Sequence, residues 1–234
     1  MNPPAQARPA LRAFTLIELL TVITIIAILM ALLFPVIRVV MDHVHKVQAK
    51  TTAGQIAAAI AQYQTEYGKY PVADYTANNP TVDLVLGDRT KANAVDDNAE
   101  LFNILRALNV GKNTDNTYNP KRVIYFDTKI ASNPSAPKSG FLDGPGTGVQ
   151  GALYDPWGKQ YTIVMDANYN QVINLTGLYS DFTGKSQDGV DTGMRIGVGV
   201  FSLGKDGEIG SPKDGVTGMY RNGDKISDDV LSWQ

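Results

Sequence analysis

Glu18 is the side chain best placed to do chemistry: a single carboxylate inside the apolar run Phe14-Thr15-Leu16-Ile17-Glu18-Leu19-Leu20, which continues to Ile37. A charge near the bilayer interior costs on the order of 3 kcal/mol by insertion scales, so an acid there calls for a partner. A second group lies near the C-terminus, where Asp206, Asp228 and Asp229 are flanked by Gly204, Gly207 and Gly223. A hard cation such as Ca²⁺ takes roughly six to eight oxygens, including backbone carbonyls that glycine-rich turns expose. The spacing is not that of an EF-hand loop, and Asp-Gly pairs equally make plain turns. His43 and His45, two apart on a helix, face different ways and do not chelate one ion together. No Ser-His-Asp, Cys-His or HExxH arrangement appears, so a membrane-anchored enzyme is the weakest reading. The stretch Gly144-Pro145-Gly146-Thr147-Gly148 lacks the lysine of a phosphate loop and reads as linker.

The elements that must position these groups begin with a membrane-length helix. Leu19–Ile37 carries no charge, and at about 1.5 Å per residue it approaches a hydrocarbon core of roughly 30 Å. Arg38, Val39, Val40 and Met41 follow without a small-residue cleavage site, which argues for a retained anchor over a secretory signal. Arg8 and Arg12 before the span are balanced by Arg38, Lys46 and Lys50 after it, so charge leaves the orientation open. The helical signal continues outside the span: Ile56, Ile60, Tyr63 and Tyr67 form an amphipathic stripe, Gly68 suits a helix end and Pro71 prevents continuation. A helix from Phe14 to Tyr67 would be roughly 80 Å long. Pro35 and Gly54 inside it predict kinks or local melting.

Residues 71–150 are rich in Asn, Asp, Pro, Gly and Thr, with one helical island at Asn98–Leu108 whose Leu101, Leu105 and Leu108 share a face. Arg122–Phe126 reads as a strand, and Ser132–Gly148 as a flexible Pro/Gly/Ser excursion. Beyond Gly151, Tyr161–Met165, Gln171–Asn174 and Arg195–Leu203 are strand-like runs between turns such as Asp155-Pro156-Trp157-Gly158. The predicted fold is α+β: a long N-terminal membrane-spanning helix packed on a small C-terminal antiparallel sheet. Composition agrees, with 234 residues, 44% hydrophobic and 19% charged, enough to bury a core without staples. The net charge of −2 gives nothing that attracts nucleic acid, and the absence of cysteine excludes disulfides and thiolate metal sites.

The run Phe14–Leu20 resembles the N-terminus of type IV pilin and type II secretion pseudopilin precursors. Asp155-Pro156-Trp157-Gly158 with Tyr161, then Phe201-Ser202-Leu203-Gly204-Lys205-Asp206-Gly207 and Asp228-Asp229-Val230-Leu231-Ser232-Trp233, resemble the C-terminal signatures of the major pseudopilin. The resemblance covers residues 8–70 and 151–234, while the segment between is longer than that family usually carries. It implies a leader 1–13 cut at Ala13–Phe14 by a prepilin peptidase, with N-methylation of Phe14. Ala13 departs from the family's usual glycine as its smallest substitute. It further implies a transmembrane and polymerisation helix 14–40, an amphipathic continuation 41–70, a variable region 71–150, and a C-terminal sheet with a calcium loop 151–234.

On this resemblance Glu18 pairs with the terminal amine of a neighbouring Phe14 and sets subunit register, and Pro35 is the helix-kinking proline. Structural Ca²⁺ is held by Asp206, Asp228, Asp229 and the Leu203 carbonyl, with Asp214 and Asp224 on a longer connection unassigned. The implied protein is a single-pass subunit of the bacterial inner membrane, N-terminus cytoplasmic and head periplasmic. It self-assembles into a pseudopilus with an inner-membrane platform, an ATPase and minor pseudopilins. A type IV pilus subunit for adhesion, motility or DNA uptake is the nearest alternative, and a monomeric membrane-anchored binding protein a more distant one.

Overall fold

The computed structural model describes residues 14–73, 83–88, 94, 96–146, 148–173, 193–210, 221–222 and 225–233. The leader 1–13 with Ala13, and the residues Thr147, Asn174, Asp214, Gly223 and Asp224, lie outside them. A long apolar helix accompanied by a small antiparallel sheet makes this the α+β pilin-like architecture that the sequence predicts.

Helix α1 spans Leu16–Tyr67, and its residues fall into two compact units divided between Val44 and His45. Among the described residues of the first unit every large apolar side chain is exposed, from Phe14 and Leu16 through Ile26 and Leu33 to Val44. Among the described residues this is the one helix long and apolar enough to cross a membrane. Helical structure runs through Pro35 and Gly54 without interruption, so the local melting predicted there is not present. Thr24 Oγ1 donates to the Leu20 carbonyl at 2.8 Å, which satisfies its hydroxyl within the helix, as hydrocarbon demands.

In the second unit the predicted stripe is the core. Ile56, Ile60 and Tyr63 are fully buried, joined by Ala49, Ala53 and Ala59. Each of the two isoleucines contributes about 1.5–3 kcal/mol by leaving water. Gly68, at φ 69°, donates its N–H to the Gln64 carbonyl at 2.8 Å and closes the helix in the left-handed geometry that glycine tolerates.

The principal sheet is antiparallel, of order β1–β4–β5–β8, with β1 at Leu84–Leu86, β4 at Thr162–Met165, β5 at Val198–Ser202 and β8 at Val230–Leu231. Its register pairs Leu84 with Met165, Ile163 with Val200 and Phe201 with Leu231. Side chains alternate between two covered faces: Leu84, Ile163, Met165 and Val200 meet the α1 stripe, and Val164, Phe201 and Leu231 pack with Leu203 and Ile173. Burial of both faces is why these strands read as continuous apolar runs.

The region 71–150 carries more structure than its composition suggests. Helix α2, Ala99–Leu105, lies within the predicted island but is buried on nearly every side, with Phe102 and Ile104 as enclosed as Leu101 and Leu105. Strand β1 was not foreseen. Arg122–Phe126 joins no ladder: Arg122 is left-handed at φ 53°, and Tyr125 N–H donates to the Leu105 carbonyl at 2.8 Å. Ser132–Gly148 is not a loose excursion. It contains β2, Gly140–Phe141, paired with β3, Leu153–Tyr154, and buries Phe141 and Leu142. The Arg106 guanidinium lies 4.0 Å from the Phe141 ring centroid and bonds both Asp143 oxygens at 3.0 and 2.6 Å. Gln171–Asn174 is likewise not a strand over its described part: Ile173 makes one isolated bridge, to Met194. A further pair, β6 at Arg221–Asn222 and β7 at Lys225–Ile226, forms a separate ladder.

Asparagine amides replace ladders in this region. Asn98 donates to the carbonyls of Leu153 and Tyr161 at 3.2 and 2.9 Å and accepts from Leu153 N at 3.0 Å. Asn119 donates to Ile104 O and Val123 O, both at 2.8 Å, and accepts the Tyr67 hydroxyl at 2.9 Å. A carboxamide has donors and an acceptor in one plane, so one buried side chain satisfies several main-chain groups at once.

Candidate functional site

Two places hold the residues singled out by sequence. The first is the start of α1. Thr15 precedes the helix, and its hydroxyl and N–H donate to Glu18 Oε2 at 2.6 and 2.9 Å, while Glu18 N–H donates to Thr15 Oγ1 at 3.3 Å. This is a reciprocal capping box, which satisfies helix-terminal donors that have no intrahelical acceptor. Glu18 thus has partners within its own chain, a role the sequence reading missed although Thr15-x-x-Glu18 spells it. The carboxylate is held at the helix start, where the oriented peptide dipoles favour an anion. Phe14, immediately before the cap, is exposed. Pro35 lacks an N–H, which leaves the carbonyl of Ala31 without its usual intrahelical donor.

The second place is the loop after β5. It is built from Asp155, whose carboxylate is buried: Oδ1 accepts from the N–H groups of Trp157, Gly158 and Lys159 at 2.9, 2.8 and 2.8 Å, and Oδ2 accepts the Ser202 hydroxyl at 2.5 Å. Burial pushes this carboxyl above its ordinary range, with the Ser202 hydroxyl and the three N–H groups pulling against it. The Asp-Pro-Trp-Gly turn is therefore a clamp on the end of β5. Trp157, half-buried, meets His45 edge-on at 5.9 Å, and Trp233 meets Phe201 edge-on at 6.1 Å.

From that clamp the chain turns at Gly204, φ 62°, and Gly207, φ 70°, with Gly207 N–H donating to the Leu203 carbonyl at 3.2 Å. A Cβ at Gly204 would run into the Asp228 carboxylate, so the glycine makes room for it. Asp228 Oδ2 accepts Lys205 N–H at 2.7 Å, and its buried Oδ1 has no hydrogen-bond partner. Burial pushes Asp228 above the ordinary carboxylate range; Asp206, hydrogen-bonded to it, adds to the push, and Lys46 and the Lys205 N–H oppose it. Two carboxyls in such contact share a proton unless a cation replaces it. Asp229 Oδ2 accepts Gly210 N–H at 2.8 Å, and Asp206 Oδ1 accepts Glu208 N–H at 2.9 Å. The fold thus brings Asp206 and Asp228 together beside Leu203. Among the described residues no three His, Cys, Asp or Glu side chains converge as a metal cluster.

Residues 10–34 match the family model described as the prokaryotic N-terminal methylation motif. No curated protein and no solved structure matches the chain. The matched segment contains the Ala13–Phe14 bond, Glu18 and the capping box. Together with the long apolar helix and small antiparallel sheet, it indicates a membrane-anchored, pilin-like subunit of the kind that prepilin peptidase processes and that assembles into filaments.

Proposed function

We propose that this prepilin-type subunit is cut at Ala13–Phe14, methylated on Phe14, and polymerised into the periplasmic pseudopilus of a type II secretion system. The observation that carries the choice of secretion is the loop after β5: the signature residues Leu203, Asp206 and Asp228 lie together, and a buried Asp228 oxygen is left without a donor. That arrangement fits a hard cation. Ca²⁺ would be held by Asp206, Asp228 and the Leu203 carbonyl, with Asp229 ordering the adjacent backbone; it supplies positive charge that lets both carboxylates ionise and ties the last loop to the sheet.

In this reading the head faces the periplasm, the N-terminus the cytoplasm, and an inner-membrane platform with its ATPase and minor pseudopilins extracts and stacks the Phe14–Val40 segments. Within the stack, Glu18 exchanges its Thr15 donors for the Phe14 amine of a neighbour. The type IV pilus is the second reading, favoured by the long region 71–150, which gives the head additional surface. Deleting the gene in its native host separates them. Accumulation of normally exported proteins in the periplasm, with surface filaments intact, is the expected outcome; loss of surface filaments with export intact would replace secretion by the pilus.

A further inference from the structure

Where β4 ends and β5 begins, the head carries a cleft of about 760 Å³ apart from the carboxylate loop and from the apolar start of α1. Its floor is a stacked pair of rings: Tyr70, 6% exposed, and Tyr169, 52% exposed, lie 5.5 Å apart at 25°. The inner ring is fixed, because the Tyr70 hydroxyl donates to the Gly197 carbonyl at 3.1 Å. The outer ring is presented by a turn of unusual backbone, with Tyr169 at φ 58° and Gln171 at φ 65°. Side chains rarely adopt that region, and such outliers persist where the surroundings over-determine them. Here the determinant is Asp166, buried, whose carboxylate accepts Asn170 N–H at 3.1 Å and Gln171 N–H at 2.8 Å. Asn170 Oδ1 in turn accepts Val172 N–H at 2.8 Å.

Gln64, Asn170, Gln171 and Arg195 also line the cleft, with Gln64 hydrogen-bonded to the Tyr70 side chain. Carboxamides both donate and accept, as do the hydroxyls of a sugar, so the donors and acceptors that these bonds leave over can meet neighbouring hydroxyls. The electron-rich face of a half-exposed tyrosine attracts the polarised C–H face of a pyranose. Among the described residues one guanidinium, Arg195, and one carboxylate, Asp166, line the cleft, a balanced pair that does not select a phosphate. The volume lies within the range of small-molecule sites. We infer that this cleft is a binding site for a neutral saccharide, stacked on Tyr169 and held by the Gln64, Asn170 and Gln171 carboxamides. The inference goes beyond the filament reading and holds for a pseudopilus or a pilus alike.

The test is saturation-transfer NMR on the full-length protein in polymer nanodiscs, which avoids glycoside detergents. The probes are chitobiose, cellobiose and mannobiose, with inorganic phosphate as the charged comparison. The expected result is transfer to the ring C–H protons of at least one disaccharide. Tyr169→Ala should weaken that binding about tenfold, as loss of a ring stack predicts, and Tyr169→Phe should retain it. Gln171→Gly, which suits the left-handed backbone and removes the carboxamide, should also weaken it while leaving the melting temperature unchanged. No transfer to any disaccharide, transfer indifferent to both Tyr169→Ala and Gln171→Gly, or displacement of the sugar by phosphate would overturn the assignment.

Discussion

The two parts of α1 belong to one helix and face opposite demands. From Phe14 to Val44 the large apolar side chains are exposed, Leu16 by 82% and Leu32 by 68%, whereas from His45 to Tyr67 the stripe Ile56, Ile60 and Tyr63 is wholly enclosed by the head. An exposed apolar surface of that extent does not persist in water, so the first part is built for partners outside its own chain: lipid in the membrane and other copies in a filament. Burial within one protomer therefore measures only half of what this helix does.

The largest effect is expected at Glu18. Glu18→Ala leaves insertion intact but strands the Phe14 amine of a neighbour, at about 3–5 kcal/mol per contact, and filament yield should collapse. Wild-type yield, measured by shearing and sedimentation, would remove the ion-pair account. Next comes the contrast between Ile60→Ala and Ile26→Ala. The first should cost the head about 2–5 kcal/mol in denaturant unfolding followed by tryptophan fluorescence, and the second should leave that transition unmoved.

A smaller effect is expected at the carboxylate loop and depends on pH. Because the folded pKa of Asp228 is raised, its contribution is fully present below the ordinary carboxylate range near pH 4 and is lost as pH rises through the raised value. The melting temperature of the metal-free protein should fall across that window. Ca²⁺ should remove the fall, and Asp228→Asn should flatten the profile and abolish the calcium response. The smallest effect belongs to Thr15→Val, which removes the hydroxyl from the cap at about 1 kcal/mol and should fray the first turn while sparing the head, as read by hydrogen exchange at Leu16–Leu19.

Much of the fold was legible because its periods are strong. The spacing of Ile56, Ile60 and Tyr63 declares a helix face, Gly68 its end, and the β-branched runs at Tyr161–Met165 and Arg195–Leu203 the central strands. β1 was hidden because three residues carry no measurable alternation. Ser132–Gly148 misled because Phe141 and Leu142 hold the segment in place, and two residues hardly alter a Pro/Gly/Ser-rich composition. Asn98 read as the first residue of a helix and Asn119 as one of many polar residues in an irregular region, yet their carboxamides act as substitute strands. Of the candidate site, Glu18 was visible as an acid in hydrocarbon, and its cap was also spelled out locally. The contact of Asp206 with Asp228 is made only by the fold, since a long connection separates them in sequence. The cleft at Tyr70 and Tyr169 gave no signal, because nothing in the chain between them indicates that the two rings stack.

Intact mass of the protein from native membranes shows whether Phe14 becomes the first residue. A mass corresponding to a chain that begins at Phe14 with one added methyl group is the predicted result, placing a free amine within reach of Glu18 on a neighbour. A mass that retains Met1 or the leader would contradict it, leaving Glu18 with only its own Thr15 and the exposed apolar segment as a simple anchor.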